Sequence, residues 1–125
     1  MTAPCRVAVC EDDPQFRQLI TMTLEYAEDF VVVGEAENGQ QAVELARSAR
    51  PDVLLLDLGM PVMDGFESLP LIRSASPDSK VIIVTSYRDD QAKDRSLSSG
   101  ASAYIEKGTS PAAIVAAVRA ACSDG

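Results

Sequence analysis

Apolar runs and amphipathic stretches alternate along the whole chain. Five short, largely apolar runs predict β-strands, at residues 5–10, 30–36, 52–57, 80–85 and 101–106. Apolar positions at helical spacing predict five helices, over about 14–28, between Asn38-Gly39 and Arg50-Pro51, around Phe66 to Ile72, over 89–99 and from Ser110-Pro111 onward. This order predicts an α/β fold, with a parallel sheet that carries helices on both faces.

Local signals refine several of these elements. Asp13 followed by Pro14 is typical of a helix start, because aspartate caps the helix and proline suits its first turn. Pro70 stands inside the third predicted helix, where we expect a bend. The fourth predicted helix is polar and has only Ala92 and Leu97 as apolar anchors. We therefore expect this helix to have low local stability.

The five strand-helix units account for nearly all of the 125 residues, which predicts one domain over residues 1–125. We expect about 5–122 to be structured and 123–125 to form a tail or the start of a linker. The N-terminus lacks a basic-then-apolar signal pattern, and no apolar stretch approaches the ~20 residues of a membrane span. These features predict a cytoplasmic protein that does not enter a membrane.

Composition argues against several classes of function. The 19 acidic and 11 basic side chains give a net charge of −8, which repels nucleic-acid phosphates, so we expect no direct nucleic-acid binding. The absence of histidine removes Ser-His-Asp and Cys-His catalysis and imidazole metal sites. Cys5, Cys10 and Cys122 are odd in number and lack metal-site spacing, so we expect reduced thiols rather than a disulfide framework.

Reactive side chains collect at the ends of four predicted strands. Glu11-Asp12-Asp13 follows the first strand, Asp57 ends the third, Thr85 ends the fourth and Lys107 follows the fifth. The carboxyl ends of parallel strands share one edge of the sheet, which is where ligands bind. We therefore expect these side chains to form one site.

Several carboxylates beside one ammonium group repel one another unless a hard cation joins them. Oxygen ligands without histidine or cysteine favour Mg²⁺, which takes one or two carboxylates together with phosphate oxygens. A carboxylate held in this way is a competent nucleophile toward phosphorus. The pattern predicts a site that phosphorylates itself. The expected roles are acceptor for Asp57, metal ligand for Asp12 and Glu11, charge partner for Lys107 and hydroxyl donor for Thr85.

Four segments resemble the response-regulator receiver domains of bacterial two-component signalling. They are V-C-E-D-D-P-Q-F-R, L-L-L-D-L-G-M-P-V-M-D-G, V-T-S and Y-I-E-K, and the resemblance covers essentially the whole chain. V-V-G-E-A-E-N-G-Q-Q-A-V-E-L and D-L-G-M-P further resemble the NarL/FixJ-type subgroup. The resemblance implies a flavodoxin-like fold of strand order 2-1-3-4-5. It also implies that a sensor histidine kinase phosphorylates Asp57 to control an output, which is transcription if a DNA-binding domain follows.

The same resemblance selects the residues of the metal site. In the family an arginine follows the second acid of the pair by five positions. Arg17 therefore implies that Glu11 and Asp12 form the pair, which leaves Asp13 as a helix cap. The family's metal also takes the backbone carbonyl two residues after the acceptor, which implies Gly59 as a further ligand.

The resemblance further implies a conformational switch. Tyr104 matches the family's switch aromatic, coupled to Thr85, on a face formed by helix four, strand five and helix five. On this face we expect phosphorylation to enhance homodimerisation. Where the family often has a proline after the lysine, frequently after a cis peptide bond, this chain has Gly108, which argues against a cis bond here.

Other functions compete with this interpretation. A Mg²⁺-dependent phosphohydrolase with an aspartyl-phosphate intermediate would share the first half of the chemistry. It would need a general acid two positions after Asp57, where this chain has Gly59. A docking module without phosphorylation is disfavoured by the intact Asp57, Thr85 and Lys107. Tyr104 could also serve only in packing, and Ser86 offers a second hydroxyl beside Thr85. We therefore expect a regulatory phosphoacceptor domain rather than an enzyme.

Overall fold

A computed structural model describes residues 3–123 of the chain. Five strands and five helices alternate within this range. They are β1 (Cys5–Cys10), α1 (Pro14–Tyr26), β2 (Phe30–Ala36), α2 (Gly39–Ala49), β3 (Val53–Leu56), α3 (Gly65–Ala75), β4 (Lys80–Thr85), α4 (Asp90–Ser98), β5 (Ala103–Glu106) and α5 (Pro111–Ser123). No helix in this range is long and apolar enough to cross a membrane.

The five strands form one parallel sheet in the order β2-β1-β3-β4-β5. The predicted flavodoxin-like topology is therefore confirmed. Alternate strand residues point to opposite faces, as the strand period requires. Val7, Val53 and Ile82 pack with α1 and α5. Ala8 and Leu54 pack on the other face, with α2, α3 and α4. Both faces of β3 are buried, as its three consecutive leucines predict.

Several boundaries differ from the sequence-based prediction by two residues. Helix α1 ends at Tyr26 rather than at about 28, because Glu28 takes a positive φ of 68° that ends the helical path. Strand β5 begins at Ala103 rather than at 101, because the amide of Ala101 bonds the carbonyl of Ser96 across the turn after α4. Helix α3 continues through Pro70 to Ala75.

The predicted anchors of α4 are half wrong. Ala92 is buried, but Leu97 is 40% exposed, and Ser96 is fully buried in its place. The hydroxyl of Ser96 donates a 2.8 Å hydrogen bond to the carbonyl of Ala92, which satisfies the polar atom inside the core. A serine that bonds its own helix can replace an apolar anchor, and the apolar pattern alone does not reveal this.

The expectation that all cysteines are free thiols is wrong for two of them. Cys5, at the start of β1, and Cys122, near the end of α5, form a disulfide with 6.2 Å between their Cα atoms. Helix α5 packs over the sheet so that its last turn reaches the edge where β1 begins. Sequence spacing carries no sign of this contact across 117 residues. Cys10 stays free and buried, and burial raises the pKa of its thiol.

Gly65, the first residue of α3, holds the loop after β3 against the sheet. Its amide donates a 3.0 Å hydrogen bond to the carbonyl of Leu58. A Cβ at this position would lie 2.6 Å from the carbonyl oxygen of Asp57 and 2.7 Å from the Cα of Leu58. The contact is between backbones, so neither side can yield by changing a rotamer.

We expect Gly65→Ala to lower the free energy of unfolding by about 1–3 kcal/mol, because overpacking forces the backbone apart. Gly59→Ala is the matched control, since a Cβ there meets only the hydroxyl of Tyr87 at 3.8 Å. Urea denaturation of both variants measures the effect. Equal stability of the two variants would show that the loop relaxes around the added methyl group.

Candidate functional site

Two buried acids come together at the carboxyl ends of β1 and β3. The amide of Asp57 donates to the carbonyl of Cys10 at 3.1 Å, and the amide of Glu11 donates to Ala36 at 2.9 Å, so each acid directly follows a strand of the sheet. Glu11 is 3% exposed and Asp57 is 4% exposed. Asp12 beside them is exposed. Two carboxylates are thus held in the interior beside a third at its rim.

Lys107 joins the two buried acids from the end of β5. Its Nζ lies 2.7 Å from Oε1 of Glu11 and 3.1 Å from Oδ2 of Asp57. The backbone of Lys107 is fixed by a 2.8 Å hydrogen bond from its amide to the carbonyl of Thr85. Burial alone would lower the pKa of Lys107, but the two carboxylates outweigh burial and raise it. The lysine is therefore held in its charged form.

The charge of Glu11 is poorly compensated. Burial raises the pKa of its carboxyl group, and the charge of Asp57 adds to this, although contacts with Lys107 and with the amide of Asp13 act in the opposite direction. Oε2 accepts a 3.0 Å hydrogen bond from that amide. Among the described residues the only polar partner of Oε1 is the ammonium group of Lys107, which forms an ion pair with it at 2.7 Å.

This donor set fits a divalent cation. Glu11, Asp12 and Asp57 each offer a carboxylate oxygen, and these atoms all lie within 4.8 Å of one another. Glu11 and Asp57 are two buried carboxylates that share one ammonium group, so a cation beside them would offset the remaining negative charge. Hard oxygen ligands with no histidine or cysteine among them suit Mg²⁺ better than zinc or copper.

Asp13 and Arg17 shape the turn that carries the acids. Asp13 caps α1 by accepting a 3.0 Å hydrogen bond from the amide of Gln15, while Pro14 occupies the first helical position. Arg17 donates from Nη1 to the carbonyl of Glu11 at 2.7 Å, and its Nε lies 3.4 Å from a carboxylate oxygen of Glu35. Asp13 thus faces its own helix.

The loop after Asp57 gives the acid a second contact. Oδ1 of Asp57 accepts a 3.2 Å hydrogen bond from the amide of Gly59. One oxygen of the acid therefore faces Lys107 and the other faces the loop backbone. The described residues contain no cis peptide bond, so the bond between Lys107 and Gly108 is trans.

Thr85 and Tyr104 are connected through a residue that the sequence analysis missed. Thr85 is fully buried, and its Oγ1 accepts a 3.3 Å hydrogen bond from the amide of Tyr87. The hydroxyl of Tyr104 donates a 2.8 Å hydrogen bond to the carbonyl of the same Tyr87. The Tyr87 ring also stacks on Phe66, with 6.4 Å between ring centroids. In the sequence, the only feature that points to Tyr87 is its position two residues after Thr85.

The arrangement can neutralise and orient an anion. A phosphoryl group beside Asp57 would meet the ammonium of Lys107 and any cation held by the acids. Thr85 ends β4, the strand next to β3. The sequence-predicted residues Glu11, Asp12, Asp57 and Lys107 share one edge of the sheet, as expected from their strand ends.

Comparison with known proteins decides the family. The profile described as response regulator receiver domain matches residues 7–119. The chain belongs to this family. As a receiver domain of two-component response regulators, it is 33% identical over 120 residues to the nitrate/nitrite response regulator protein NarL of Escherichia coli strain K12. It is 35% identical over 120 residues to the transcriptional regulatory protein LnrK of Bacillus subtilis strain 168. Each match covers 96% of the receiver domain.

Solved structures agree with this membership. The receiver domain superposes on the signal receiver domain of a Mycobacterium tuberculosis response regulator assigned as NarL with a TM-score of 0.93. The two are 32% identical, and the match covers 98% of each chain. The receiver domain spans only about half the length of the curated relatives it matches, 56% for NarL of Escherichia coli and 54% for LnrK.

Proposed function

We propose that this receiver domain is a phosphorylation-dependent switch and that Asp57 accepts the phosphoryl group. The observation that carries the proposal is the contact of Lys107 with both Glu11 and Asp57, at 2.7 and 3.1 Å. A single ammonium group between two buried acids places a counter-charge where a phosphoryl group on Asp57 would sit. A sensor histidine kinase is the proposed donor.

The chemistry is an in-line displacement. An oxygen of the Asp57 carboxylate attacks phosphorus as the bond to the imidazole nitrogen of the donor breaks, and the imidazole leaves with the electron pair. Lys107 donates to a phosphoryl oxygen and offsets the charge that gathers on it. Glu11, Asp12, Asp57 and the carbonyl of Gly59 are the proposed ligands of Mg²⁺. When bound, this ion neutralises phosphoryl oxygens during the transfer.

Acetyl phosphate tests this proposal without a kinase. With Mg²⁺ present, intact mass spectrometry should show one added phosphoryl group, and a chelator should abolish the addition. Uptake that is equally fast with and without Mg²⁺ would reject the proposed role of the cation. The absence of uptake from acetyl phosphate and also from phosphoramidate would reject the phosphoacceptor function.

The acids at the N-terminus of α1 should differ in their effect on Mg²⁺ affinity. We expect Asp12→Ala to weaken Mg²⁺ binding by roughly tenfold or more, because it removes one of the clustered carboxylates. Asp13→Ala is the matched control. It should leave Mg²⁺ affinity close to wild type and cost about 1 kcal/mol of stability through the lost cap. Titration of each variant with Mg²⁺ measures both affinities, and a loss confined to Asp13→Ala would show that the ligand pair is displaced by one residue.

The proposed switch uses the link through Tyr87. A phosphoryl oxygen would accept a hydrogen bond from the hydroxyl of Thr85, and the movement of Thr85 would disturb its contact with the amide of Tyr87. The carbonyl of Tyr87 also holds the hydroxyl of Tyr104, so the aromatic ring would be released. This would change the face formed by α4, β5 and α5.

Hydrogen exchange with and without beryllofluoride tests the switch. We expect altered protection in α4 and around Tyr104, because α4 has few buried apolar contacts. Changes confined to the loops around Asp57 would contradict the switch and leave the phosphoacceptor chemistry intact.

The proposed output is control of transcription through a DNA-binding domain in the full-length protein. The description of LnrK as a transcriptional regulatory protein supports this output. The receiver domain itself carries a net charge of −8 and is not proposed to contact DNA. We further propose that phosphorylation strengthens pairing of two copies through the face formed by α4, β5 and α5.

A further inference from the structure

Phe16 lies in the first turn of α1 and turns its ring toward Lys107. The Nζ atom of Lys107 is 5.1 Å from the centroid of the ring. Phe16 is half-buried and packs against the core cluster shared by α1 and α5. The ammonium of Lys107 therefore has three contacts, namely two carboxylates and one aromatic ring.

The two carboxylate partners of the lysine are unequal. The Nζ atom is closer to Glu11, at 2.7 Å, than to Asp57, at 3.1 Å. The side chain is flexible and 22% exposed, so solvent and Glu11 can both draw the ammonium away from the acceptor. A third contact that attracts the charge would limit this movement.

We propose that Phe16 is a positioning residue for Lys107, and that its ring holds the ammonium group beside Asp57 during phosphoryl transfer. This inference rests on the proposed function. The face of an aromatic ring carries negative electrostatic potential and attracts a cation within about 6 Å. Unlike a carboxylate, the ring takes none of the three ammonium protons in a strong hydrogen bond, so they remain available to Asp57 and to phosphoryl oxygens.

The position of the ring is fixed by the start of the helix. Phe16 is the third residue of α1, after Pro14 at the first position and Asp13 at the cap. Proline fixes its own φ, and the cap bond from Gln15 to Asp13 closes the turn. The same turn that carries the acids thus also presents the ring to the lysine.

Fluorinated phenylalanines at position 16 test the electrostatic contact directly, because they reduce the charge on the ring face with little change in shape. We expect the initial rate of phosphorylation by acetyl phosphate to fall stepwise from phenylalanine to its mono-, di- and trifluoro forms. Phe16→Leu should lower the rate roughly three- to tenfold. The matched control is the same series at Phe30, whose ring lies 5.4 Å from the guanidinium carbon of Arg119. Phe30 begins β2, the edge strand on the other side of the sheet from β5. Fluorination of Phe30 should therefore leave the rate unchanged.

A second readout does not depend on phosphorylation. Nζ of Lys107 lies 5.1 Å from the ring centroid, so we expect the NMR signals of the adjoining ε-methylene protons to be displaced from those of exposed Lys93. Phe16→Leu should remove the displacement. A rate that drops in Phe16→Leu but ignores fluorination would assign Phe16 to packing and overturn the inference. If the wild-type protein took up no phosphoryl group, the proposed function would be rejected instead. If the Lys107 signals of the wild-type protein were not displaced, the inference would be overturned, whether or not the protein is phosphorylated.

Discussion

Lys107→Met should slow phosphoryl uptake by Asp57 by about 100-fold or more, which is the usual cost of losing one preorganised donor to a developing oxyanion. Methionine keeps the length of the side chain but supplies neither charge nor N–H donors. The substitution removes the ammonium group of Lys107, which contacts both Glu11 and Asp57. Initial rates with saturating Mg²⁺ and acetyl phosphate, followed by intact mass, measure the effect.

Lys93→Met provides the control for this result. Lys93 is exposed on α4, so the same substitution there changes the net charge equally without touching the site. We expect Mg²⁺ binding to survive in Lys107→Met, because the clustered carboxylates remain. If Lys107→Met were phosphorylated as fast as Lys93→Met, the lysine would have no part in the transfer.

Reduction of the disulfide between Cys5 and Cys122 should lower the free energy of unfolding by about 3–5 kcal/mol. The bond closes a loop of nearly the whole described chain, with a sequence separation of 117 residues, and so restricts the unfolded state strongly. It also ties the last turn of α5 to the start of β1. Helix α5 belongs to the proposed switch face.

Denaturation with and without reductant measures this contribution. The double variant Cys5→Ser/Cys122→Ser is the control, because it should match the reduced protein and show no further response to reductant. Cys10 is present in both proteins and is buried, so it contributes equally. An unfolding midpoint of the untreated protein that does not depend on reductant, together with a mass showing two additional free thiols, would contradict the bond.

The sequence predicts the bounds of most strands of the sheet more closely than it predicts where the helices end. The bounds of β1, β2 and β4 are confirmed without change. The apolar runs of β1 and β4 are mostly buried, whereas β2 is an edge strand and most of its residues are partly exposed. The last residue of α1 and the first residue of β5 could not be predicted closely. They depend on a positive φ at Glu28 and on a hydrogen bond from Ala101 to Ser96, which no periodicity reports.

The candidate site also has a part that the sequence predicts and a part that it does not reveal. Strand ends indicated that Glu11, Asp57 and Lys107 would meet, since parallel strands share one carboxyl edge. Contacts made by intervening loops could not be found from the sequence. Tyr87 participates through its backbone, which every residue has, and Phe16 fits an ordinary apolar position of α1. The disulfide was missed because it depends on how α5 packs over the sheet.

The acceptor role of Asp57 is tested most directly by trapping the phosphorylated side chain. Borohydride reduces an acyl phosphate to an alcohol, so aspartyl phosphate becomes homoserine at the modified position. After treatment with acetyl phosphate and Mg²⁺, peptide mapping should find homoserine at Asp57, and Asp57→Asn should yield none. Homoserine at Asp12 or Asp13, or undiminished trapping in Asp57→Asn, would contradict the proposed acceptor.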